Sequence, residues 1–157
     1  MAGLHSEDAS SGVASRDSMR YYSVPKLERF NEEALRATIK REIAWVLNTT
    51  NLSAVVDLNP YPHVQTSVLN YGVPDLTGKA TSHRVVIGRA RDIRAAIKAF
   101  EPRIDEKSLM VEPQTTRERE NAVTYLIYGD VTSAVNAMPI KFRTDVEADT
   151  AAVTVRE

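Results

Sequence analysis

The 157-residue sequence contains no cysteine, which removes disulfides, thiolate metal sites and cysteine nucleophiles together. Its six glycines are scattered, Gly72 and Gly78 standing alone, so no glycine-rich turn can cradle a phosphate at the start of a helix. The histidines are dispersed at positions 5, 63 and 83; no metal and no cofactor are expected. No Gly-x-Ser-x-Gly turn occurs to carry an acyl-transfer nucleophile. No stretch approaches the roughly 18 to 20 apolar residues of a membrane span, and the polar, serine-rich start has no apolar signal core. The expectation is therefore a cytoplasmic chain with no membrane insertion. Charge of one sign is not in excess either: 20 Lys+Arg face 21 Asp+Glu, for a net charge of -1. The whole chain thus offers no electrostatic case for a nucleic-acid partner.

What is present is an ordinary globular composition, 43% apolar and 26% charged, enough to build one core. Residues 1–24 hold Ser6, Ser10, Ser11, Ser15 and Ser18 among scattered charges. They bring too little apolar area to offset chain entropy and are expected to form a flexible arm. Residues 25–157 are expected to be one domain.

Asn31 is suited to cap a helix whose first turn carries Glu32 and Glu33, with Leu35, Ile39, Ile43, Val46 and Leu47 on one stripe. Pro62 predicts a second, short helix running to Tyr71, with Val64, Val68 and Tyr71 on one face and Gly72 as its left-handed terminus. A third helix is predicted from about His83 to Phe100. Val86, Ala90, Ile93, Ile97 and Phe100 form its apolar side, while Arg84, Arg91, Arg94 and Lys98 form a separate basic stripe. Gly88 weakens the first half of this helix, so its start is open to displacement. The stripe suits a docking face for an acidic protein or a nucleic-acid backbone, and equally a solvated helix face. Pro102 ends the helix.

Beyond it the apolar period changes from 3.6 to 2. Leu109 and Val111 alternate, Val123 to Tyr128 is apolar on both faces, and Ile140, Phe142, Thr144 and Val146 alternate with Lys141, Arg143, Asp145 and Glu147. Val153 and Val155 make a last strand after a turn at residues 148–150, and residues 114–121 read as a charged loop. Helices followed by strands predict an α+β fold, N-terminal helices packed on one face of a mostly antiparallel C-terminal sheet.

No catalytic residue stands out. A glycoside hydrolase needs a protonated carboxylic acid facing a second carboxylate. The most constrained candidate, Glu101, has Arg103 two residues away, and a neighbouring cation favours the charged form instead. Glu101, Pro102 and Arg103 suit a different role. Proline stiffens an acid and a base past the end of a helix, so that both, expected at the surface, are offered to a partner with little entropy loss. A plain helix stop with solvated charges explains the same three residues equally well.

These residues also carry a resemblance. Phe100-Glu101-Pro102-Arg103-Ile104 after Ile93-Arg94-Ala95-Ala96-Ile97 resembles the Glu-Pro-Arg signature of the lysozyme-like baseplate wedge proteins of contractile injection machines. Leu69-Asn70-Tyr71-Gly72-Val73-Pro74-Asp75 resembles a segment of the type VI secretion branch of that family, TssE. Glu42 to Thr49 and Ile140 to Thr144 are similar to its first helix and its C-terminal strands. The resemblance implies a non-enzymatic structural subunit of a cytoplasmic baseplate near the inner membrane. Its implied partners are TssF and TssG, TssK in the same assembly, and the first ring of the TssB/TssC sheath. It also implies an assembly role for Glu101, Pro102 and Arg103. A phage-tail wedge protein and, further off, a peptidoglycan muramidase are the competing identities.

Overall fold

The computed structural model describes residues 32–77, 82–114, 121–132 and 137–157. The expected arm, its boundary at residue 25, the Asn31 cap and the middle of the 114–121 loop lie outside the described residues.

Helix α1 spans Glu32–Leu47, with Glu32 and Glu33 in the first turn, where the positive end of the helix dipole favours them. Its predicted stripe is the buried one: Ile39, Ile43, Val46 and Leu47 are buried and Leu35 is partly so. At its end the last carbonyls gain side-chain donors. Asn48 Nδ2 donates to Ala44 O at 2.7 Å and Thr49 Oγ1 to Trp45 O at 2.8 Å.

The chain then makes a compact excursion before returning to the same place. Thr50 bridges Val73 in parallel, Asn51 N donating to Val73 O at 2.9 Å and Val73 N to Thr49 O at 2.8 Å. Gly72 permits this closure: its φ is +119°, and a Cβ there would sit 2.1 Å from Thr49 O. Within the excursion the single helix expected from Pro62 to Tyr71 is corrected to two pieces, helix α2 at Pro62–Gln65 and a 3₁₀ turn at Val68–Asn70, preceded by another such turn at Leu52–Ala54. Ser67 causes the break. Its backbone is extended (φ -85°, ψ 165°) and its hydroxyl accepts the Leu69 N–H at 3.2 Å, which restarts the chain as a turn. Val68 is consequently 82% exposed and does not share a buried face with Val64.

Helix α3 spans His83–Phe100 and passes through Gly88 without interruption. Ala90, Ile93, Ala96 and Ile97 are buried, flanked by the partly buried Val86 and Phe100. Strands β1 (Met110–Pro113), β2 (Ala122–Val131), β3 (Met138–Glu147) and β4 (Val153–Arg156) form an antiparallel sheet in the order β1-β2-β3-β4. Strands β2 and β3 pair along their full length, from Ala122 opposite Glu147 to Val131 opposite Met138. Helix α3 packs against β1 and α1 against β4, which is the α+β arrangement expected. Ile39, Ile43, Ile93, Ile97, Tyr125, Ile127 and Phe142 are wholly buried between the layers. Each contributes about 1.5–3 kcal/mol of burial.

One cross-strand pair, Thr124 opposite Asp145, departs from strict alternation. Asp145, expected on the solvated face, is buried, because it accepts Thr124 Oγ1 from the neighbouring strand at 2.6 Å and lies 3.6 Å from Arg143 Nε. Asn48 adds a contact no local pattern announces: its amide accepts from Val153 N and donates to Val153 O, both at 2.9 Å, tying the end of α1 to the last strand.

Candidate assembly site at the Glu-Pro-Arg corner

Glu101 caps the C-terminus of α3, its N–H donating to Ile97 O at 2.8 Å. The chain turns at Pro102 and is pinned to the sheet on the far side. Ile104 bridges Val131, Thr132 N donates to Arg103 O at 2.9 Å, and Asp105 N donates to Asp130 O at 2.9 Å. Ser108 Oγ accepts the Asp130 N–H at 2.8 Å. The corner is therefore held by backbone hydrogen bonds on both sides of the proline.

The two charged side chains do not both face solvent, which corrects the expectation. Glu101 is 3% exposed. Arg103 donates from Nε to Glu101 Oε1 at 2.7 Å and from Nη2 to Oε2 at 2.6 Å, a two-pronged pair, and its own N–H reaches Oε1 at 3.3 Å. A carboxylate withdrawn from water needs such a partner, and the proline-fixed turn brings it within reach. The Glu101 hydrogen bond holds the Arg103 guanidinium above its ordinary pKa, with burial opposing. The arginine side chain remains 30% exposed. Of its five N–H donors, those on Nη1 have no partner among the described residues. What the corner offers outward is thus one oriented, internally neutralised guanidinium.

Two residues that the sequence did not assign to the corner complete the surroundings. Glu42 on α1 and Tyr71 lie close enough to act electrostatically at the corner. Burial, then the Glu42 and Glu101 carboxylates, push the Tyr71 phenol above its ordinary pKa. Tyr71 also packs on Phe100, ring centroids 5.1 Å apart. The motif residues 69–75 and the Glu-Pro-Arg corner, far apart in sequence, therefore meet at the end of α3.

The basic stripe divides in two. Arg94 donates from Nε to Leu109 O at 3.0 Å and from Nη2 to Glu106 O at 3.3 Å, and Lys98 Nζ lies 2.5 Å from Glu106 Oε1. Those two residues strap the segment leading into β1 onto α3. Arg84 and Arg91 are exposed, and their side chains have no hydrogen bond or ion pair among the described residues. A fifth basic residue, Arg89, escaped the stripe. It lies 3% exposed on the buried side, with Nη2 donating to Leu76 O at 2.7 Å. A cation interrupting an otherwise apolar face was the only signal of it.

Among the described residues no three His, Asp or Glu side chains gather to hold a metal ion, and no helix is long and apolar enough to cross a membrane. No curated protein matches the chain. The family model described as baseplate wedge protein gp25 does, over residues 33–135, from the start of α1 to just past β2. That span is well over half of the chain and contains the whole corner and the excursion that meets it, so the chain belongs to the baseplate wedge protein family of contractile injection systems.

Proposed function

We propose that the chain is the TssE-type structural subunit of the baseplate of a type VI secretion system. In this reading it works in the cytoplasm near the inner membrane. It links the wedge subunits TssF and TssG, with TssK in the same assembly, to the first ring of the TssB/TssC sheath. It has no enzymatic role. The observation that carries the reading is the Glu-Pro-Arg corner, a paired acid and base clamped between α3 and β2 in a chain of a structural baseplate family. The Leu69-Asn70-Tyr71-Gly72 segment beside it supports the type VI branch.

The corner also supports a division of labour among the partner-binding residues. Buried Glu101 orients Arg103, Pro102 fixes the turn, and Arg103 presents its remaining donors to the wedge. Arg84 and Arg91 are free to meet an acidic protein surface, whereas Arg94 and Lys98 act through the segment they strap down. A second reading, the wedge protein of a contractile phage tail or related particle, has the family description in its favour.

The test is reconstitution. The full-length chain should co-purify with TssF and TssG, and Arg103→Lys, which keeps the charge but not the fork, should weaken that complex. Failure of the wild-type chain to join these partners would refute the type VI reading. So would peptidoglycan turnover abolished by a single Glu or Asp to amide change.

A further inference from the structure

Of the two charged side chains at the Glu-Pro-Arg corner only Arg103 reaches solvent, 30% exposed against 4% for Glu101. Its donors are already divided. Nε and one N–H of Nη2 go to Glu101, at 2.7 and 2.6 Å. A guanidinium carries five N–H donors and no acceptor, so the remaining N–H groups lie along the Nη1–Nη2 edge. Nη1 makes no hydrogen bond among the described residues, and yet it is not one of the buried polar atoms left unsatisfied, so it stands open to solvent. The backbone behind it is fixed, Thr132 N donating to Arg103 O at 2.9 Å and the Arg103 N–H reaching Glu101 Oε1 at 3.3 Å.

Two carboxylates already act on this one guanidinium. The Glu101 hydrogen bond, with burial opposing, and then the charges of Glu101 and Glu42 hold Arg103 above its ordinary pKa. Burial and then the same two carboxylates push up the Tyr71 phenol, which packs on Phe100 at the end of α3. Glu42 in turn pairs with Arg41, Nη2 to Oε1 at 2.9 Å. Arg41, Glu42, Glu101 and Arg103 therefore sum to zero, and the corner has donors to offer but no net charge with which to attract an ion.

We propose that Arg103 receives main-chain carbonyl oxygens at the C-terminal end of a helix in a wedge partner, and that Glu42 keeps acidic side chains from taking their place. The inference rests on the assembly reading above and names the partner chemistry of that same site. The last four carbonyls of a helix have no partner within it and carry only a partial negative charge, an acceptor-only, weakly charged surface that matches a donor-only, neutralised one. A strand edge matches less well. Each outward residue of such an edge presents an N–H beside its C=O, and Arg103 has no acceptor to meet it. A side-chain carboxylate or a phosphate would bring a further full negative charge to a guanidinium that Glu101 and Glu42 already hold, and like charges so placed repel. Because Glu101 and the fixed backbone orient the guanidinium beforehand, little entropy is lost when the helix end arrives.

The experiment uses the full chain in reconstituted complexes with TssF and TssG and two variants, Arg103→Lys and Glu42→Gln. A photo-crosslinking residue at position 42 locates the partner segment by mass spectrometry, and each Asp and Glu of that segment is then changed to its amide, alone and together with Arg103→Lys. Arg103→Lys should bind about tenfold more weakly, the loss expected for hydrogen bonds to a charged donor, while Glu42→Gln stays within about twofold of wild type. Crosslinks should fall in or just past the last turn of a partner helix, and no amide change should reproduce the Arg103→Lys loss. A partner carboxylate whose amide change weakens binding as much as Arg103→Lys, and adds nothing to it, overturns the proposal. So does tightening or weakening of about fivefold or more in Glu42→Gln, which would mean that the partner brings an anion or a cation to the corner. Crosslinks confined to a strand edge or to lipid also overturn it. These outcomes leave the assembly reading standing, because the wild-type complex has formed. If the wild-type chain joins no complex, or Arg103→Lys binds as wild type does, the assembly role of the corner has failed and this inference falls with it.

Discussion

Removing Arg103 should destabilise the protein more than removing Glu101, although the two residues share one ion pair. The asymmetry follows from burial: the carboxylate is 3% exposed, while the arginine side chain is 30% exposed. In Arg103→Ala the Glu101 carboxylate stays buried, and among the described residues its only remaining donor is the residue-103 N–H at 3.3 Å. Stranding one partner of a buried pair costs about 3–5 kcal/mol. The smaller alanine admits water to the gap, which places the effect near the lower end, about 3 kcal/mol. In Glu101→Ala the guanidinium turns to solvent, and the loss is that of two charge-assisted hydrogen bonds already open to competition from water, about 1–2 kcal/mol. For a chain of this size each kcal/mol moves the melting temperature by about 2–4 °C. Arg103→Ala should therefore melt about 6–12 °C below wild type, and Glu101→Ala about 2–8 °C below it. The double variant should lose less than the sum of the two, since the pair is coupled. Circular dichroism melts and urea titrations of the four proteins make the measurement. Wild-type melting of Arg103→Ala, or a larger loss for Glu101→Ala, would show that the carboxylate is not held in a dry setting and refute the reasoning.

Burial pushes the Tyr125 phenol up to about 12, with Arg89 opposing. A raised folded-state pKa means that its contribution is complete below the unfolded value of about 10 and is lost as pH rises toward 12. About 2–3 kcal/mol should disappear across that window, and Tyr125→Phe should flatten this part of the stability–pH curve. Gly72→Ala should be the costlier of two glycine changes. At Gly72 the new methyl meets a backbone oxygen at 2.1 Å at positive φ, whereas at Gly129 it meets the Ile104 side-chain methyl at 2.7 Å. Gly129→Ala should cost about 1–3 kcal/mol in urea unfolding and Gly72→Ala more. Arg84→Glu and Arg91→Glu should leave melting within about 0.5 kcal/mol of wild type and slow association with an acidic baseplate partner. Arg94→Ala should instead raise hydrogen exchange in the 105–109 segment it bonds.

The periodic elements were legible because their signal is local. Helix α1, helix α3 with its basic stripe, and strands β2 to β4 each repeat an apolar residue at the spacing of one face, and that repetition follows from backbone geometry alone. The excursion was read less well. Val64, Val68 and Tyr71 fit a helical period, but a single serine hydroxyl redirected the chain between them. Periodicity cannot register a competing side-chain hydrogen bond. Asp145 was misplaced for the same kind of reason, its partner Thr124 lying 21 residues away on another strand.

The candidate site divides along the same line. From the sequence by itself came the order of elements, the stop at Pro102, the segregation of basic from apolar residues on α3, and the proximity of Glu101 to Arg103, all consequences of short-range spacing. Only the tertiary structure decided which of these charges meet solvent. It buried Glu101 beside the Tyr71–Phe100 contact, engaged Arg94 and Lys98 with the approach to β1, and left Arg84 and Arg91 free. It also set five apolar side chains of the 51–72 excursion in water. Exposure belongs to the assembled surface, and a charge or an apolar group acquires it only when every element that can cover it has been placed.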